Sequence, residues 1–286
     1  MFAIIGSVVV IGMIIAGYLM EKGNLSVLFQ PAELVIIGGA ALGSFLIANP
    51  QKTAIGTLKR VGYIFTGKTR TKKEYLEVLL LFNELFMMAR KDGLISLEEH
   101  INNPEKSKVF EKYPKISKHH EILNFICDNL KIYIATTPEP HVFENLMEID
   151  MEALHMDEES YPKAINAVAD SLPGLGIVAA VLGIVITMGK INEPPEVLGH
   201  SIGAALVGTF LGILGCYGFL GPMASLLEKL NHDNAIIFHV IKTALIAFSH
   251  TWHPSLVVEA ARRAIPESER PSFAELEGAI KGKKNE

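Results

Sequence analysis

Two apolar runs joined by a short turn restrict what this chain can fold into more than any other feature. They extend from Leu172 to Met188 and from Ser201 to Leu220, and neither contains Asp, Glu, Lys or Arg. The turn between them carries Pro194 and Pro195. At about 1.5 Å per helical residue each run reaches roughly 26 to 30 Å, close to the hydrocarbon thickness of a bilayer. The pattern predicts a transmembrane helical hairpin.

Small residues recur along both runs at helical spacings. In the first run they are Gly176, Ala180 and Gly183; in and just before the second they are Gly199, Gly203, Ala204, Gly208 and Gly212. Lipid tails are as apolar as leucine, so membrane helices associate through close backbone approach at small residues. We therefore expect this hairpin to pack against other helices.

Two further apolar segments lie near the start of the chain. Residues 2–20 lack the positively charged region and the cleavage site of a secretory signal, so we interpret them as a retained first span. The second span, about Leu34 to Ala48, follows Pro31, which is a favourable first residue for a helix. Gly39 and Gly43 in this span also predict close packing.

None of the four spans, drawn with these limits, contains an ionisable residue. Ion-conducting bundles commonly carry an acid at depth, because burying one is costly and is tolerated for function. We therefore expect either a partner to supply the titrating carboxylate or polar groups such as Thr187 and Thr209 to build an ion path. The alternative for Thr209 is a hydroxyl that bonds to its own helix backbone.

Basic residues cluster directly after the second span, before any acid: Lys52, Lys59, Arg60, Lys68, Arg70, Lys72 and Lys73. By the positive-inside rule this segment is cytoplasmic, which places both hairpins outward and both termini inside.

The net charge of -5 argues against a nucleic-acid partner. Cys127 and Cys216 lie in unlike surroundings, so we expect no disulfide.

We therefore predict an all-α integral membrane protein with four transmembrane helices in two hairpins and a helical cytoplasmic domain. Residues 1–49 hold the first two spans, 50–171 the cytoplasmic helical domain, 172–223 the last two spans, and 224–286 a cytoplasmic helical extension and tail. No alternating run of β-branched residues interrupts the helical pattern.

The sequence GYIFTGKT, residues 62–69, matches the phosphate-binding pattern G-x-x-x-x-G-K-T. That pattern functions on a turn between a buried strand and a helix, whereas residues 51–61 are typical of an amphipathic helix. We favour a basic turn near the membrane and keep an ATP-hydrolysing enzyme as the alternative.

The ten histidines lack the spacing of a ligand cluster, so we expect no metal, no cofactor and no enzymatic activity.

Pro173 and Pro222 lie at the predicted inner ends of the third and fourth spans. Pro173 either begins a helix or forms a hinge. Pro222 interrupts a longer helical pattern and is expected to bend it, since proline removes a backbone donor. The pattern alone leaves open whether the two prolines are simple kinks or a pair of hinges.

Opposite charges surround a predicted corner between two helices. An apolar face from Tyr75 to Ala89 predicts a helix that ends at Gly93, and Ser96 with Glu99 predicts a capping box that opens the next. The corner is either an ordinary solvated surface or an electrostatic docking patch for another protein. Its charged residues are Arg90, Lys91, Asp92, Glu98 and Glu99.

Five blocks of this sequence closely resemble the MotA family of flagellar motor stator proteins. They are QPAELVIIGGA, GLISLEEHINNP, DSLPGLGIVAAVLGIV, LVGTFLGILGCYGF and ERPSFAELE. The resemblance extends through nearly the whole chain. ExbB and TolQ, the wider relatives, share the proline-bearing hairpin but not the full set of blocks.

The resemblance implies a ring of five subunits in the bacterial inner membrane around a dimer of a MotB-like partner. That partner has one span, which bears the proton-accepting aspartate, and a periplasmic peptidoglycan-binding domain. The residues matching Pro173 and Pro222 would couple proton flow to conformational change. Those matching Arg90 and Glu98 would engage the rotor protein FliG.

For the ion path, the resemblance implies that Thr209 matches a polar residue lining it. Ala180 falls where sodium-driven relatives carry threonine, which favours protons. The implied function is a flagellar motor stator subunit that couples proton flow to torque on the rotor. The alternative is an ExbB-like or TolQ-like subunit that energises an envelope complex.

Overall fold

The computed structural model describes residues 2–67 and 69–283, and these ranges contain helices and no strand. The α-helices are α1 Phe2–Met20, α2 Leu25–Leu28, α3 Pro31–Ala48, α4 Gln51–Thr66, α5 Lys72–Asp92, α6 Glu98–Asn102, α7 Lys108–Glu111, α8 Pro114–Ser117, α9 His120–Thr136, α10 Pro140–Met188, α11 Pro195–Ile213, α12 Gly221–Ser249, α13 Pro254–Arg263 and α14 Phe273–Lys283. Short 3₁₀-helices cover Leu94–Leu97 and Pro104–Lys106, and a π-helix covers Leu214–Leu220.

Within these ranges four helical stretches are long and apolar enough to cross a membrane: Phe2–Met20, Leu25–Ala48, Pro140–Met188 and Pro195–Ser249. The last two, at 49 and 55 residues, are far longer than the roughly 20 residues that a bilayer requires. The predicted fold class, an all-helical protein with four membrane spans, is confirmed.

The third span is the end of a longer helix. α10 runs without a break from Pro140 to Met188 and contains Pro162 and Pro173 in its interior. The option that Pro173 begins a helix is therefore wrong. A helix start was one of two options left open by the sequence, because proline is common in the first turn of a helix, whereas Pro173 lies in the interior of α10.

The described part of the chain divides into two compact units, Met1–Lys68 with Asp157–Asn231 and Thr69–Met156 with His232–Glu286. Each unit takes one part of α10 and one part of α12. The units are groupings of packed helices and do not mark where a membrane begins, so the four-segment organisation remains a prediction.

In the first unit, α12 compensates for the proline at position 162. Proline has no backbone N–H, so the carbonyl four residues earlier loses its helical donor. That carbonyl belongs to Glu158, and the side-chain amide of Asn231 donates to it over 2.9 Å. A hydrogen bond between two helices thus replaces one that α10 cannot make for itself.

The amphipathic helix α4 is fixed against α10 in the same unit. The Tyr161 ring occupies the space beside Gly56, where an added Cβ would lie 2.4 Å from a ring carbon. Arg60 lies over that ring, 5.1 Å from its centroid, and pairs with the Glu158 carboxylate. Lys52 and Asp157 form a further ion pair at 3.0 Å. The contact therefore combines close packing with opposite charge.

The second unit has its own hydrophobic core, built by α5, α9 and parts of α10, α12 and α13. The Phe86 ring stacks between those of Phe82 and Phe248, with centroids 5.1 and 4.1 Å apart. Lys242 is almost buried and pairs with Glu148 at 2.9 Å and Glu144 at 3.4 Å. This unit, like the first, is helical as expected.

Candidate functional site

The hairpin of α10 and α11 is held by direct contact between backbones. A Cβ on Gly176 would lie 2.8 Å from the Gly208 carbonyl oxygen, and one on Gly212 would lie 2.5 Å from the Leu172 carbonyl oxygen. A Cβ on Gly183 would lie 2.7 Å from the Ala205 methyl group. These distances leave no room for side chains, so the glycines are required where they stand.

The predicted packing positions are therefore partly right. Gly208 and Gly212 belong to the contact, but Ala205 rather than Ala204 faces Gly183. Gly199 has open space around it, and a Cβ on Gly203 would lie 4.0 Å from a methyl group of Val27. Gly39 and Gly43 in α3 are likewise open toward every residue that the structure describes.

The two residues expected on an ion path, Ala180 and Thr209, lie along this same contact. Ala180 is buried, and its backbone nitrogen lies 3.2 Å from the position of a Cβ on Gly208. The Thr209 Cα lies 3.2 Å from the position of a Cβ on Gly176. The fold thus brings one residue of α10 and one of α11 to one helix–helix interface.

The hydroxyl groups of the two threonines differ in what they bond. Thr187 Oγ1 donates to the Gly183 carbonyl over 2.8 Å, which satisfies it within α10. Thr209 makes no hydrogen bond with a described residue and is half-buried. Backbone bonding, the alternative for Thr209, is thus not observed, and its hydroxyl remains available.

Glu33 corrects the expectation that no span contains an ionisable residue. Because α3 begins at Pro31 and not at Leu34, Glu33 falls in its first turn and within the second candidate span. Its side chain is buried, and Oε2 lies 2.6 Å from the position of a Cβ on Gly208. The signal was present in the sequence, since a helix that starts at Pro31 must include Glu33.

Pro222 follows a segment of unusual helix. From Leu214 to Leu220 the backbone is a π-helix, and the Gly221 N–H bonds to the Cys216 carbonyl five residues earlier. Such wide turns inside helices are rare and often occur at functional sites. The sequence correctly placed an irregularity next to Pro222, although it predicted a bend and not a change of hydrogen-bond register.

The corner that carries Arg90 and Glu98 lies in the second unit. α5 ends at Asp92 as predicted, and Gly93 has a φ of 86°, which favours glycine. The capping box is wrong: α6 begins at Glu98 without a side-chain cap, and Ser96 Oγ donates instead to the Gly93 carbonyl over 2.6 Å. The turn is therefore closed by a local bond to its own glycine.

Both corner charges are exposed on a firmly held backbone. The side chains of Leu97 and Ile101, on either side of Glu98, are fully buried in the core. Neither Arg90 nor Glu98 forms an ion pair with a residue in the described part of the chain. The charges are thus presented on rigid helices and remain free for another protein.

The phosphate-binding pattern does not have the backbone that it needs. Residues 62–66 continue α4, Gly67 caps it, and no strand precedes them in the described ranges. Lys68, the residue that would contact phosphate, lies outside the described residues. The geometry here is that of a helix end, which favours the reading as a turn near the membrane.

These observations define a class of protein: a helical membrane protein with four spans, a glycine-packed hairpin and a second, helical unit that presents charge. Two family sequence models match the chain. Residues 4–93 match the Motility protein A N-terminal family, and residues 117–246 match the MotA/TolQ/ExbB proton channel family.

Full-length relatives make the assignment more specific. The chain is 39% identical to Motility protein A of Escherichia coli over 100% of this chain and 97% of the relative. It is 34% identical to Chemotaxis protein LafT of Vibrio parahaemolyticus over 96% of each. The chain therefore belongs to the motility protein A family, whose members are flagellar motor stator subunits of the proton channel type and not a known class of enzyme.

Solved structures agree on the fold. C. jejuni MotAB matches with a TM-score of 0.77 at 20% identity, over 95% of this chain and 98% of that one. The flagellar MotAB stator complex of Bacillus subtilis matches with a TM-score of 0.75 at 22% identity, over 96% and 99%. At these identities the likeness supports the fold.

Proposed function

We propose that this chain forms the ring of a proton-driven flagellar stator in the bacterial inner membrane, with both termini in the cytoplasm. A single-span partner like MotB completes the complex and supplies the proton-accepting aspartate and the peptidoglycan anchor. One observation carries the proposal: the relatives that match almost the whole chain are Motility protein A of Escherichia coli and Chemotaxis protein LafT of Vibrio parahaemolyticus. The matched structures are titled as MotAB complexes, which supports a second component.

In this proposal the α10–α11 interface lines the route of the proton. The free hydroxyl of Thr209 offers a polar group there, and the buried Ala180 adds none. One charge that crosses 100 mV releases about 2.3 kcal/mol, and a pH gradient adds to this. Proton flow thus provides enough free energy to change the packing of a helix, without nucleotide hydrolysis.

Movement would be transmitted along the two helices that contain Pro173 and Pro222. α10 lacks a backbone donor at Pro173, and α12 begins directly after the π-helix at Leu214–Leu220. Both places have weaker backbone hydrogen bonding than a regular helix, which makes them suitable hinges. Since α10 and α12 both continue into the second unit, a change at either hinge reaches it through unbroken helices.

The exposed charges of Arg90 and Glu98 would engage the rotor protein FliG. Rim charges of opposite sign set the encounter and the register of a transient contact more than its affinity. A contact that must form and break at each step of a motor requires this kind of surface. The assembly number is proposed as five copies of this chain.

The alternative, an ExbB-like or TolQ-like subunit that energises an envelope complex, is not favoured by the full-length relatives. A deletion strain separates the two functions. We expect deletion to abolish swimming while flagellar filaments still assemble, and a plasmid copy to restore it. A deletion strain that swims normally but loses uptake or integrity at the outer envelope would support the alternative instead.

A further inference from the structure

A carboxyl group without a partner lies between three helices of the first unit. Glu33 is 8% exposed, and its Oε2 is buried with no hydrogen-bond partner among the described residues. Oε2 lies 2.6 Å from the position of a Cβ on Gly208, and Oε1 lies 3.5 Å from that on Gly183. The side chain thus occupies space that two glycines, one on α11 and one on α10, leave open.

Glu33 lies deep along the hairpin. Gly208 is thirteen residues after Pro195, where α11 begins, and fourteen before Pro222. At the rise of an α-helix the carboxyl lies about 10 Å into the apolar run that begins at Ser201 and about 8 Å from Met188, where α10 ends.

The parts of α10 and α11 that lie against Glu33 contain no charged residue that could balance an ionised carboxylate. Between Asp170 and Lys190, α10 carries no charged residue, and α11 carries none between Glu196 and its end, His200 being its remaining titratable group. α2, which packs on α11, is Leu25–Leu28 and has no titratable group. The two positions placed against the carboxyl oxygens, Gly183 and Gly208, are glycines, which offer no compensating charge.

An ionised carboxylate in such surroundings is very costly, and the group binds a proton in preference to remaining charged. A carboxyl that was only structural could be replaced by an apolar residue, which packs there at lower cost. Intramembrane acids are therefore a sign of function. This one lies against Gly183 and Gly208, within the α10–α11 interface to which the proposed function assigns the ion path.

We propose that Glu33 is a proton-binding site that this chain itself contributes to the ion path, in addition to the carboxyl supplied by its partner. The carboxyl is held protonated between α3, α10 and α11. Its O–H bond breaks when the proton passes to water or to the next acceptor, and it forms again when a proton arrives from the side of higher proton concentration. This inference rests on the proposed stator function.

The glycine gap gives the protonation state a structural consequence. The neutral carboxyl fits against Gly183 and Gly208, whereas the charged form must be solvated or leave. Proton loss at Glu33 would therefore loosen α3 from the α10–α11 hairpin. Proton binding and helix packing are in this way coupled at one side chain.

Infrared spectroscopy of the purified complex of this chain with its partner tests the protonation state. We expect a protonated-carboxyl band at neutral pH that is lost in Glu33→Gln. The matched control is Glu196→Gln, the same change in the first turn of α11, where the side chain is exposed. It should leave that band unchanged. A spectrum in which Glu33→Gln removes no such band overturns the proposal.

Proton flux in vesicles tests whether the proton moves. Glu33→Gln should lose most of the flux that Glu196→Gln retains, with the same ring size by native mass spectrometry. Wild-type flux in Glu33→Gln would overturn the exchange of protons at this site.

If the glutamine variant does not assemble, Glu33→Asp is the deciding variant. Retained flux with a shifted carboxyl band supports the site, and an unshifted band contradicts it. A wild-type complex that passes no protons would refute the proposed function instead, while the carboxyl band would still report on Glu33.

Discussion

Ionisable side chains in this protein occupy three kinds of setting, which differ in how well water can solvate the charge. Arg90 and Glu98 are exposed, so their charge is available to the proposed partner. Glu259 is largely buried but lies between the guanidinium groups of Arg262 and Arg263. Glu33 is buried without a partner among the described residues. We assign the three settings to the proposed docking, to stability and to the proposed proton binding.

Glu259 makes the stability of the second unit depend on pH. Hydrogen bonds from Arg262, and then from Arg263, lower the pKa of its carboxyl from 4.5 to about 2. A lowered pKa stabilises the folded state above the unfolded pKa, and the contribution is lost as the pH falls from 4.5 through about 2. Glu259→Gln should therefore cost about 1 to 3 kcal/mol at pH 7, less at pH 3.

Thermal unfolding of the purified complex across this pH range measures the effect. Glu277→Gln is the control, because its partner Lys281 is exposed and such pairs contribute little. A difference between Glu259→Gln and wild type that stays constant from pH 7 to pH 3 would show that the ion pairs are not the cause.

The corner charges give a second prediction for single residues. Arg90→Glu or Glu98→Lys should remove most of the swimming speed while the complex still assembles, because both side chains are exposed and hold nothing in the fold together. Asp128→Lys, an exposed charge reversal on α9, serves as the control and should swim normally. Normal swimming of the Arg90→Glu, Glu98→Lys double variant would count against a docking role.

The sequence shows which residues are charged or polar, but it does not always show where in a helix or turn they lie. Gly93 ends α5 as predicted because only the local backbone decides a helix end of this kind. Glu33 was missed because the second span was limited to its apolar residues, although Pro31 had already indicated an earlier start. Ser96 was misassigned because a hydroxyl near a helix start can equally bond to the preceding turn.

Among the helices, α10 and α11 depend on glycines that permit backbone contact. Gly212→Ala should destabilise the complex by about 1 to 3 kcal/mol, since the new Cβ meets backbone atoms that cannot move aside. Gly199→Ala, in the same helix but with open space around it, should have little effect. Equal thermal stability of the two variants would contradict the close packing described here.

The bond between Asn231 and the Glu158 carbonyl gives a prediction that involves two helices. Asn231→Ala should cost about 1 kcal/mol, because Pro162 lacks the N–H that an ordinary residue would donate to that carbonyl. In a Pro162→Ala background the new N–H at position 162 restores the helical donor, so the same change should cost less. A double-mutant cycle measures the coupling, and equal costs in both backgrounds would exclude it.

The existence of the helices was predictable, whereas some of their limits were not. Apolar periodicity and charge identified the spans and the helical second unit. The continuity of α10 through Pro162 and Pro173 was not predictable, because it depends on packing and, at Pro162, on a donor seventy-three residues away in sequence. The π-helix before Pro222 carries no local signal beyond the proline itself.

The whole molecule combines a first unit that carries Glu33 and Thr209 with a second unit that presents charge, and α10 and α12 run through both. Family membership assigns it to flagellar stators, and the geometry supplies the proposed route of the proton and the proposed hinges. In this account the chain provides a scaffold and an accessory carboxyl, and the partner completes the route. Neither component alone should conduct.

Proton flux into vesicles that contain this chain alone, compared with vesicles that contain the chain and its single-span partner, tests this division. We predict flux only when both are present. Flux through the chain alone at the rate of the full complex would contradict the account, because the partner's carboxyl would then not be needed for the proton to cross.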